Sequence, residues 1–405
     1  MINVLELLFM ILQSLSTAII DMFYFMTAFV AFMTVYRFGQ FGIIDGNRVK
    51  HARALTIEYI VQGIVIGVLL SCVVVYLGMP IIYSDYLYFL LPLSFILGFY
   101  HIRFTNLIYS SSMMAILGLV LNGQVVGDQI MPDIGVNPSG LALVTGLLML
   151  SIGLLMTLTG TKSLMPIAAV DGQRKVLGFA MQRFWPVPLV LLSAVKIVVT
   201  GETVDMPNWW PMLTLSTGDD ASFSMFLLPL LLIMSHGSVS FGQSPKEHLR
   251  HQCLQQIGGG IVLILVGYIG SQIGHVEIMI ALILILVAAV PEVYWNYREL
   301  GKPPCYIIDE TGVMIIGVEE GSIASSYGFE LGDCILSIDD NEVKDWGQLS
   351  RRAKMYKEGY RIKLLRQNKK FITIQLDQGD ITDDGFGLRS MVTKPSNYYL
   401  SLIHI

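Results

Sequence analysis

Long apolar runs separated by short polar loops occupy the first 300 residues of the chain. Each run is close to the roughly 17–25 residues that an α-helix needs to cross a bilayer. Eight of these runs are well delimited, and we expect each to form a transmembrane helix. They lie at about 57–78, 86–102, 105–121, 140–159, 186–200, 223–241, 254–273 and 276–295.

The N-terminal apolar segment is longer than the others. Residues 17–36 form a ninth run, and residues 1–16 are also apolar apart from Glu6 and Gln13. One helix over residues 1–36 would be about 54 Å long at about 1.5 Å per residue, which exceeds a hydrocarbon core of about 30 Å. The pattern leaves open whether residues 1–16 are an interfacial helix or extend the first span. The predicted class for residues 1–300 is a polytopic α-helical membrane protein with 8–9 transmembrane helices.

Beyond residue 300 the pattern changes to short alternating segments with dense charges of both signs, which is typical of a soluble domain. Gly301-Lys-Pro-Pro304 is a stiff linker at its start. We place a small α+β domain at 301–378 and a polar tail at 379–405, which is either a linker or the start of further strands. The predicted strands are 305–309, 313–318, 334–339, 361–366 and 369–376, and the predicted helices are 322–327 and 345–357.

The charges of the short loops alternate in sign, which predicts the orientation in the membrane. The basic loops, which we place in the cytoplasm, carry Arg37, Arg48, Lys50, Arg53, Arg103, Lys162, Arg174, Lys175, Arg183, Lys246, Arg250, Arg298 and Lys302. The acidic loops carry Asp128, Asp133, Glu202, Asp205, Asp219 and Asp220. The C-terminal domain is therefore predicted to be cytoplasmic. Trp185, Trp209, Trp210 and Trp295 fall at predicted span ends, where aromatic belts lie.

Composition excludes several classes of function. Only 14% of the 405 residues are charged, against roughly 25% in soluble domains. There is no polybasic run that would indicate nucleic acid. The four cysteines are scattered without metal-ligand spacing, so we expect neither a metal centre nor another cofactor.

Known catalytic motifs are missing from the membrane part. No HExxH sequence is present, and His248-Leu-Arg-His251 lacks the glutamate, so both histidines are interpreted as solvated loop residues. Ser235-His236-Gly237-Ser238 has no GxSxG context. Asp21 and Lys196 are the ionisable residues deepest in predicted spans, but each is close enough to a span end to reach water. We therefore expect no enzyme activity.

The C-terminal domain resembles the bacterial, circularly permuted PDZ domains. The matching segments are GVMIIGVEEGSIASSYGFELGDCILSIDDNEV, WGQLSRRA and RIKLLRQNKKFITIQL, about 70 residues in all. The resemblance implies peptide binding by strand addition. It places one wall of the groove at Tyr306, Ile307 and Ile308 and the other at Leu349, Arg352, Ala353 and Tyr356. The glycine usual in the family's binding loop is missing there, which leaves open whether the ligand ends in a free carboxylate. A PDZ fold that only packs against the membrane part, or that dimerises, remains the alternative.

The whole architecture resembles the MinJ-type proteins of Gram-positive bacteria, on its span layout, the FWPVPLV run after a basic loop and the C-terminal PDZ domain. This resemblance implies a scaffold in the bacterial plasma membrane that recruits protein partners for cell division or polarity. The alternative is a membrane enzyme or transporter that its PDZ domain regulates, with a polar cavity holding Asp21, Lys196 or His236. A sensor of envelope signals is a third possibility, although its outer loops are short.

Two further features stay open at the level of sequence. Pairs of small residues such as Gly63 and Gly67 favour packing within the molecule, with a homo-oligomer as the alternative. The ending LSLIHI resembles a translated sequencing adapter, which would place the natural C-terminus elsewhere, and we assign it no function.

Overall fold

The protein is described by a computed structural model, which covers most of the chain. The described residues are 4–41, 48–100, 102–121, 125–126, 129–130, 135–160, 164–171, 174–195, 210–211, 224–273, 276–308, 311–319, 321–355, 359–367, 370–376, 386–390 and 400–401.

Helices make up most of the N-terminal part, and two short ones belong to the C-terminal part. They are α1 (Val4–Ile20), α2 (Met22–Phe41), α3 (Arg48–Tyr76), α4 (Tyr86–Tyr100), α5 (Leu107–Leu121), α6 (Pro138–Thr159), α7 (Pro245–Gln272), α8 (Glu277–Leu300), α9 (Ile323–Ser326) and α10 (Trp346–Ala353). A 3₁₀ turn at Ile102–Thr105 joins α4 to α5.

The strands form two larger sheets and one small ribbon. They are β1 (Pro80–Ile82), β2 (Val125–Val126), β3 (Gln129–Ile130), β4 (Leu164–Asp171), β5 (Arg174–Val195), β6 (Ser224–Ser240), β7 (Tyr306–Ile307), β8 (Val313–Val318), β9 (Cys334–Ile338), β10 (Asn341–Glu342), β11 (Tyr360–Leu365), β12 (Phe371–Leu376), β13 (Leu388–Ser390) and β14 (Leu400–Ser401).

Four helices of the described chain are long and apolar enough to cross a membrane: Ala52–Tyr76, Pro138–Thr159, Pro245–Gln272 and Glu277–Glu299. On α3 a row of exposed apolar side chains recurs every four residues, at Ile57, Val61, Val65 and Leu69. Such a row suits contact with lipid, because a soluble protein rarely exposes so much contiguous apolar surface. The predictions of helices at 57–78, 140–159, 254–273 and 276–295 are confirmed.

The remaining predicted helical runs have two outcomes. The runs at 86–102 and 105–121 are helices, but α4 and α5 are shorter than the four long ones. The N-terminal segment is a bent pair: α1 and α2 meet at 65° around Asp21, and count as one further span if the bent pair crosses together. Asp21 is exposed and accepts a hydrogen bond from the Phe23 N–H at 3.1 Å, so it caps α2. Lys196 lies outside the described residues.

The predicted helices at 186–200 and 223–241 are wrong over their described residues, because 186–195 and 224–240 belong to two paired antiparallel strands, which we call the hairpin. β5 lies opposite β6 from Phe179 and Ser240 at one end to Val195 and Ser224 at the other. Nearly every residue of β5 is buried. A strand buried on both faces reads as a continuous apolar run, and this makes it indistinguishable by periodicity from a buried helix. Trp185, predicted for an interfacial belt, is fully buried and donates to Gln62 at 2.8 Å.

Pro186 and Pro188 are tolerated in β5 because a backbone N–H at these two positions would point away from β6. Val190 sends its N–H to Ser71 of α3 at 2.8 Å, away from β6. Backbone directions alternate along a strand, so Pro186 and Pro188 face the same way, where no ladder N–H is required. Their lack of an N–H therefore costs the hairpin no hydrogen bond.

Helix α3 packs along the edge of β5 that faces away from β6, and every four residues of the helix lie beside two residues of the strand. A Cβ added to Gly63 would overlap the carbonyl oxygen of Pro186, and one added to Gly67 would overlap that of Pro188. Four helical residues advance about 6 Å, and two strand residues advance about 6.6 Å. Gly63, Gly67 and Ser71 therefore lie beside successive outward-facing residues of β5. The two glycines pack within the molecule, as the sequence favours.

The C-terminal part forms a compact unit, which we call the module. Its sheet runs in the order β12-β11-β9-β8-β13, and β10 pairs with β9. Its core contains Ile315, Ile335, Leu349, Ile362 and Leu376, with Phe386 from beyond the predicted boundary at 378. Strands and helices lie close to where the pattern predicts them, and β13 adds a strand from the polar tail.

Candidate functional site

A polar cavity of about 60 Å³ lies inside the helical part, between the 3₁₀ turn, α5, β6, α7 and α8. It lies near the start of α7 and the end of α8, where the sequence predicts cytoplasmic loops. We call it the polar cavity.

Helix α7 supplies one wall of the polar cavity from a single face. His248, Gln252 and Gln256 are four residues apart, which places them one above another on the helix. All three are buried. The interpretation of His248 as a solvated loop residue is therefore wrong. His251 is partly exposed and its ring stacks on Trp295 with centroids 4.7 Å apart.

Strand β6 supplies the facing wall through Ser235, His236, Gly237 and Ser238. The hydroxyl of Ser238 lies 2.9 Å from Nε2 of His248. Side chains of the 3₁₀ turn and of the next residue, Asn106, form hydrogen bonds with the backbone of this wall. The Asn106 side chain donates to the Ser235 carbonyl at 2.6 Å, and Nε of Arg103 donates to the Gly237 carbonyl at 3.1 Å.

The charged residues that line the polar cavity, Arg103, Glu292 and Glu299, are engaged within the protein. Arg103 forms an ion pair with Glu292 of α8, and the Tyr109 hydroxyl also donates to Glu292 at 3.4 Å. Glu299 accepts from four donors at the end of β6 and in the loop that follows: the Ser240 hydroxyl at 2.7 Å, the N–H groups of Phe241 and Gly242 at 2.7 and 2.6 Å, and the Gln243 amide at 3.1 Å. Neutral hydrogen-bonding groups are left to face the interior.

Two of these groups lack a partner. Nδ1 of His236 lies 3.3 Å from the Gln256 amide nitrogen, while Nε2 of His236 and Oε1 of Gln256 make no hydrogen bond. Both side chains are buried, at 7% and 6% exposure. A buried polar atom without a partner is costly, so each of these two atoms favours a hydrogen-bonding group in the polar cavity, whether water or a ligand supplies it.

The polar cavity does not have the features of a metal or serine-hydrolase site. No group of three or more His, Cys, Asp or Glu in the described ranges is placed to hold a metal ion. A nucleophile and its base also need a third group that orients the base. Among the hydrogen bonds of the described residues, none joins the second ring nitrogen of His248 to a carboxylate.

The first predicted wall of the peptide groove pairs with the sheet of the helical part. Tyr306 and Ile307 form β7, which pairs with Leu177 and Val176 of β5 and continues the edge where β6 ends. Ile308 donates to the Lys175 carbonyl at 2.9 Å and is buried against the helical part. These three residues are thus held by β5.

The second predicted wall is only partly available. Leu349 and Ala353 are buried in the module core, at 0% and 2% exposure. Arg352 is half-buried and donates to the Glu342 carbonyl at 2.7 Å. Tyr356 lies outside the described residues. The groove between the two predicted walls stays a prediction.

The module has a different free strand edge, at β13. β13 pairs on one side with β8, with Leu388 opposite Val318. Its other side has no paired strand among the described residues. Gly387, just before β13, has a φ of 81° and accepts from the Glu319 N–H at 2.9 Å. Because backbone directions alternate, Leu388 directs its N–H and C=O towards the free edge.

The module is packed against the helical part through a continuous apolar contact. Val313 and Ile315 of β8 face the module core, while Met314 and Ile316 belong to the main core of the helical part. The Tyr306 ring lies at 81° to Phe179 with centroids 5.9 Å apart, and it also lies next to Gly332 of the module. Burial raises the pKa of the Tyr306 hydroxyl, and the nearby Cys305 adds to the rise.

Comparison with known proteins finds no protein family and no curated protein that matches this chain.

Proposed function

We propose that the protein is a membrane-embedded adaptor of the MinJ type in the bacterial plasma membrane, whose cytoplasmic PDZ-like module holds protein partners close to the inner leaflet. The single observation that carries this proposal is the free edge of β13. An exposed strand edge presents unpaired N–H and C=O groups that an extended peptide can join.

The position of β13 suits this role for two reasons. Phe386 anchors the start of the strand in the module core, in the same cluster as Leu349 and Ala353 of α10. Leu388 offers its outward backbone groups without giving up a bond to β8. We propose the β13 edge, in place of Tyr306, Ile307 and Ile308, as the peptide-binding edge.

The membrane part of the proposal retains the topology with eight to nine crossings. The hairpin β5–β6 replaces two helical crossings with two strands. Irregular or β backbone is tolerated at membrane depth where protein buries it, and α3 covers β5 in this way. The basic loops then remain on the cytoplasmic side together with the module.

Replacing Leu388 by proline tests the peptide-binding edge in the full chain. Leu388→Pro removes the outward N–H but no hydrogen bond to β8. We expect the fluorescently tagged wild type to enrich at division sites or cell poles and to co-purify with division proteins. The variant should stay in the membrane but lose both properties.

Leu388→Met is the matched control, because it keeps the N–H and nearly the same side-chain volume. We expect it to behave as the wild type. An even distribution of the wild type, or equal partner recovery with Leu388→Pro, would contradict the role of this edge.

A second function, a membrane enzyme or transporter regulated by the module, is favoured by one observation. The enzyme or transporter alternative predicts a polar cavity that holds Asp21, Lys196 or His236, and the polar cavity contains His236. Asp21, by contrast, is exposed at the start of α2. Glu299 at the end of α8 links the cavity to the segment that leads into the module.

A further inference from the structure

Two neighbouring residues that line the polar cavity, His236 and Gln256, each have one unsatisfied polar atom. If the Gln256 amide nitrogen donates to Nδ1 of His236, the imidazole carries its proton on Nε2. The site then offers the N–H of His236 and the carbonyl oxygen of Gln256. If the amide is turned around, His236 offers an acceptor and Gln256 a donor. In both cases the occupant must supply one acceptor and one donor.

The charge of the site selects a neutral occupant. Arg103 is engaged by Glu292, and Glu299 is saturated by four donors at the end of β6 and in the loop that follows. Among the lining residues an ion would find no free counter-charge, and the buried guanidinium of Arg183, opposite His236 on β5, donates to Thr159 and Gly160 instead. Burying an unpaired charge is strongly unfavourable. Hydroxyl groups avoid this cost because each both donates and accepts.

The size and the aromatic wall restrict the occupant further. A volume of about 60 Å³ corresponds to about four to six waters at about 10–15 Å³ each, which is the scale of a small polyol. The stacked rings of His251 and Trp295 give an apolar surface on one side. A polyol has carbon–hydrogen faces for such a surface and hydroxyls for the opposite wall.

We propose that the polar cavity binds a neutral polyol group of about the size of glycerol. The group comes from a free polyol or from the head of a neutral glycolipid, and both present the same hydroxyl chemistry. This site is independent of the β13 edge, so loss of peptide binding in Leu388→Pro leaves the polyol site unchanged.

The test uses the full chain in phosphatidylcholine nanodiscs, whose lipids carry no free hydroxyl. Saturation-transfer NMR with glycerol detects the free polyol. Native mass spectrometry after adding monoglucosyl diacylglycerol detects the lipid source. We expect binding of glycerol, of the glycolipid or of both. The probe that binds identifies whether the polyol group is free or belongs to a lipid.

Gln256→Leu keeps the volume of the side chain but removes both amide groups. We expect its affinity for the responding probe to fall about tenfold, the scale of one or two lost hydrogen bonds. Gln272→Leu is the matched control, since Gln272 is exposed at the other end of the same helix. It should bind as the wild type does.

His236→Leu is a second variant with the same expected loss, in case Gln256→Leu does not fold. Failure of the wild type to bind either glycerol or the glycolipid would overturn the proposal and leave water as the occupant. Equal binding by the wild type and a folded cavity variant would overturn it as well.

Discussion

Small residues on α3 determine how closely the helix approaches β5. Gly63 and Gly67 face the carbonyl oxygens of Pro186 and Pro188 without space for a methyl group. One turn further on, the Ser71 hydroxyl accepts from the Val190 N–H and donates to the Gly67 carbonyl at 2.6 Å. At these positions α3 packs against the edge of β5 and supplies a hydrogen bond to its backbone.

Gly67→Ala should destabilise the protein because its new methyl group would overlap the Pro188 carbonyl. Backbone atoms on both sides leave little room to relax. We expect a loss of about 1–3 kcal/mol in the free energy of unfolding, the usual cost of overpacking. Chemical denaturation of the purified chain in detergent measures it.

Gly258→Ala in α7 is the matched control. No atom lies within 4 Å of a Cβ at that position, and alanine has the higher helix propensity. We expect unchanged or slightly increased stability. Equal losses at Gly67 and Gly258 would show that the approach of α3 to β5 is looser than described.

At the same scale, the wall of the polar cavity was partly predictable. His248, Gln252 and Gln256 recur every four residues in front of an apolar run, which marks one polar helix face. His236 was among the expected cavity residues. The pairing of Ser238 with His248 was not predictable, because it depends on β6 being a strand that lies against α7.

The hairpin is the element where sequence and structure diverge. β6 lies within the apolar run 223–241, and the second half of β5 lies within the run 186–200. Hydrophobicity alone cannot tell such strands from helices. Pro186 and Pro188 were consistent with a first helical turn and equally with the outward positions of a strand. The long helices and the module elements were predictable, because their length or alternation is specific.

A pair of cysteines distinguishes the hairpin from two helices. Leu192 lies opposite Leu227 in the register of β5 and β6. The N–H and C=O of Leu192 point away from β6, so Leu192 and Leu227 form a non-hydrogen-bonded pair. The Cα atoms of such a pair lie about 4.5 Å apart, which is within disulfide range. We expect rapid disulfide formation in Leu192→Cys/Leu227→Cys on oxidation of membranes.

Leu192→Cys/Leu228→Cys is the control, because neighbouring residues of a strand point to opposite faces. It should stay largely reduced, as a mobility shift on non-reducing gels shows. Similar yields for the two pairs would argue against this register.

At the scale of the whole molecule, the segment after α8 is a structural joint. Glu299 fixes the loop after β6, the Cys305 N–H donates to the Phe241 carbonyl at 2.7 Å, and β7 extends the sheet of the helical part. Tyr306 then contacts both Phe179 and Gly332. The segment that begins with the predicted stiff linker therefore connects the module to the cavity region.

The pairing of the first predicted groove wall with β5 could not be read from the sequence. Tyr306, Ile307 and Ile308 have the spacing of a short strand, and a strand does form there. Its partner is β5, far away in sequence, and such a pairing leaves no local signal. The β13 edge follows a polar stretch that carries little apolar periodicity.

The account depends most on the module lying in the cytoplasm, and cysteine labelling in intact cells measures this directly. Met355 is 76% exposed on the module. We would place cysteine there in a Cys305→Ser background and treat cells with a membrane-impermeant maleimide. The account predicts labelling only after the cells are opened, whereas labelling of intact cells would contradict it.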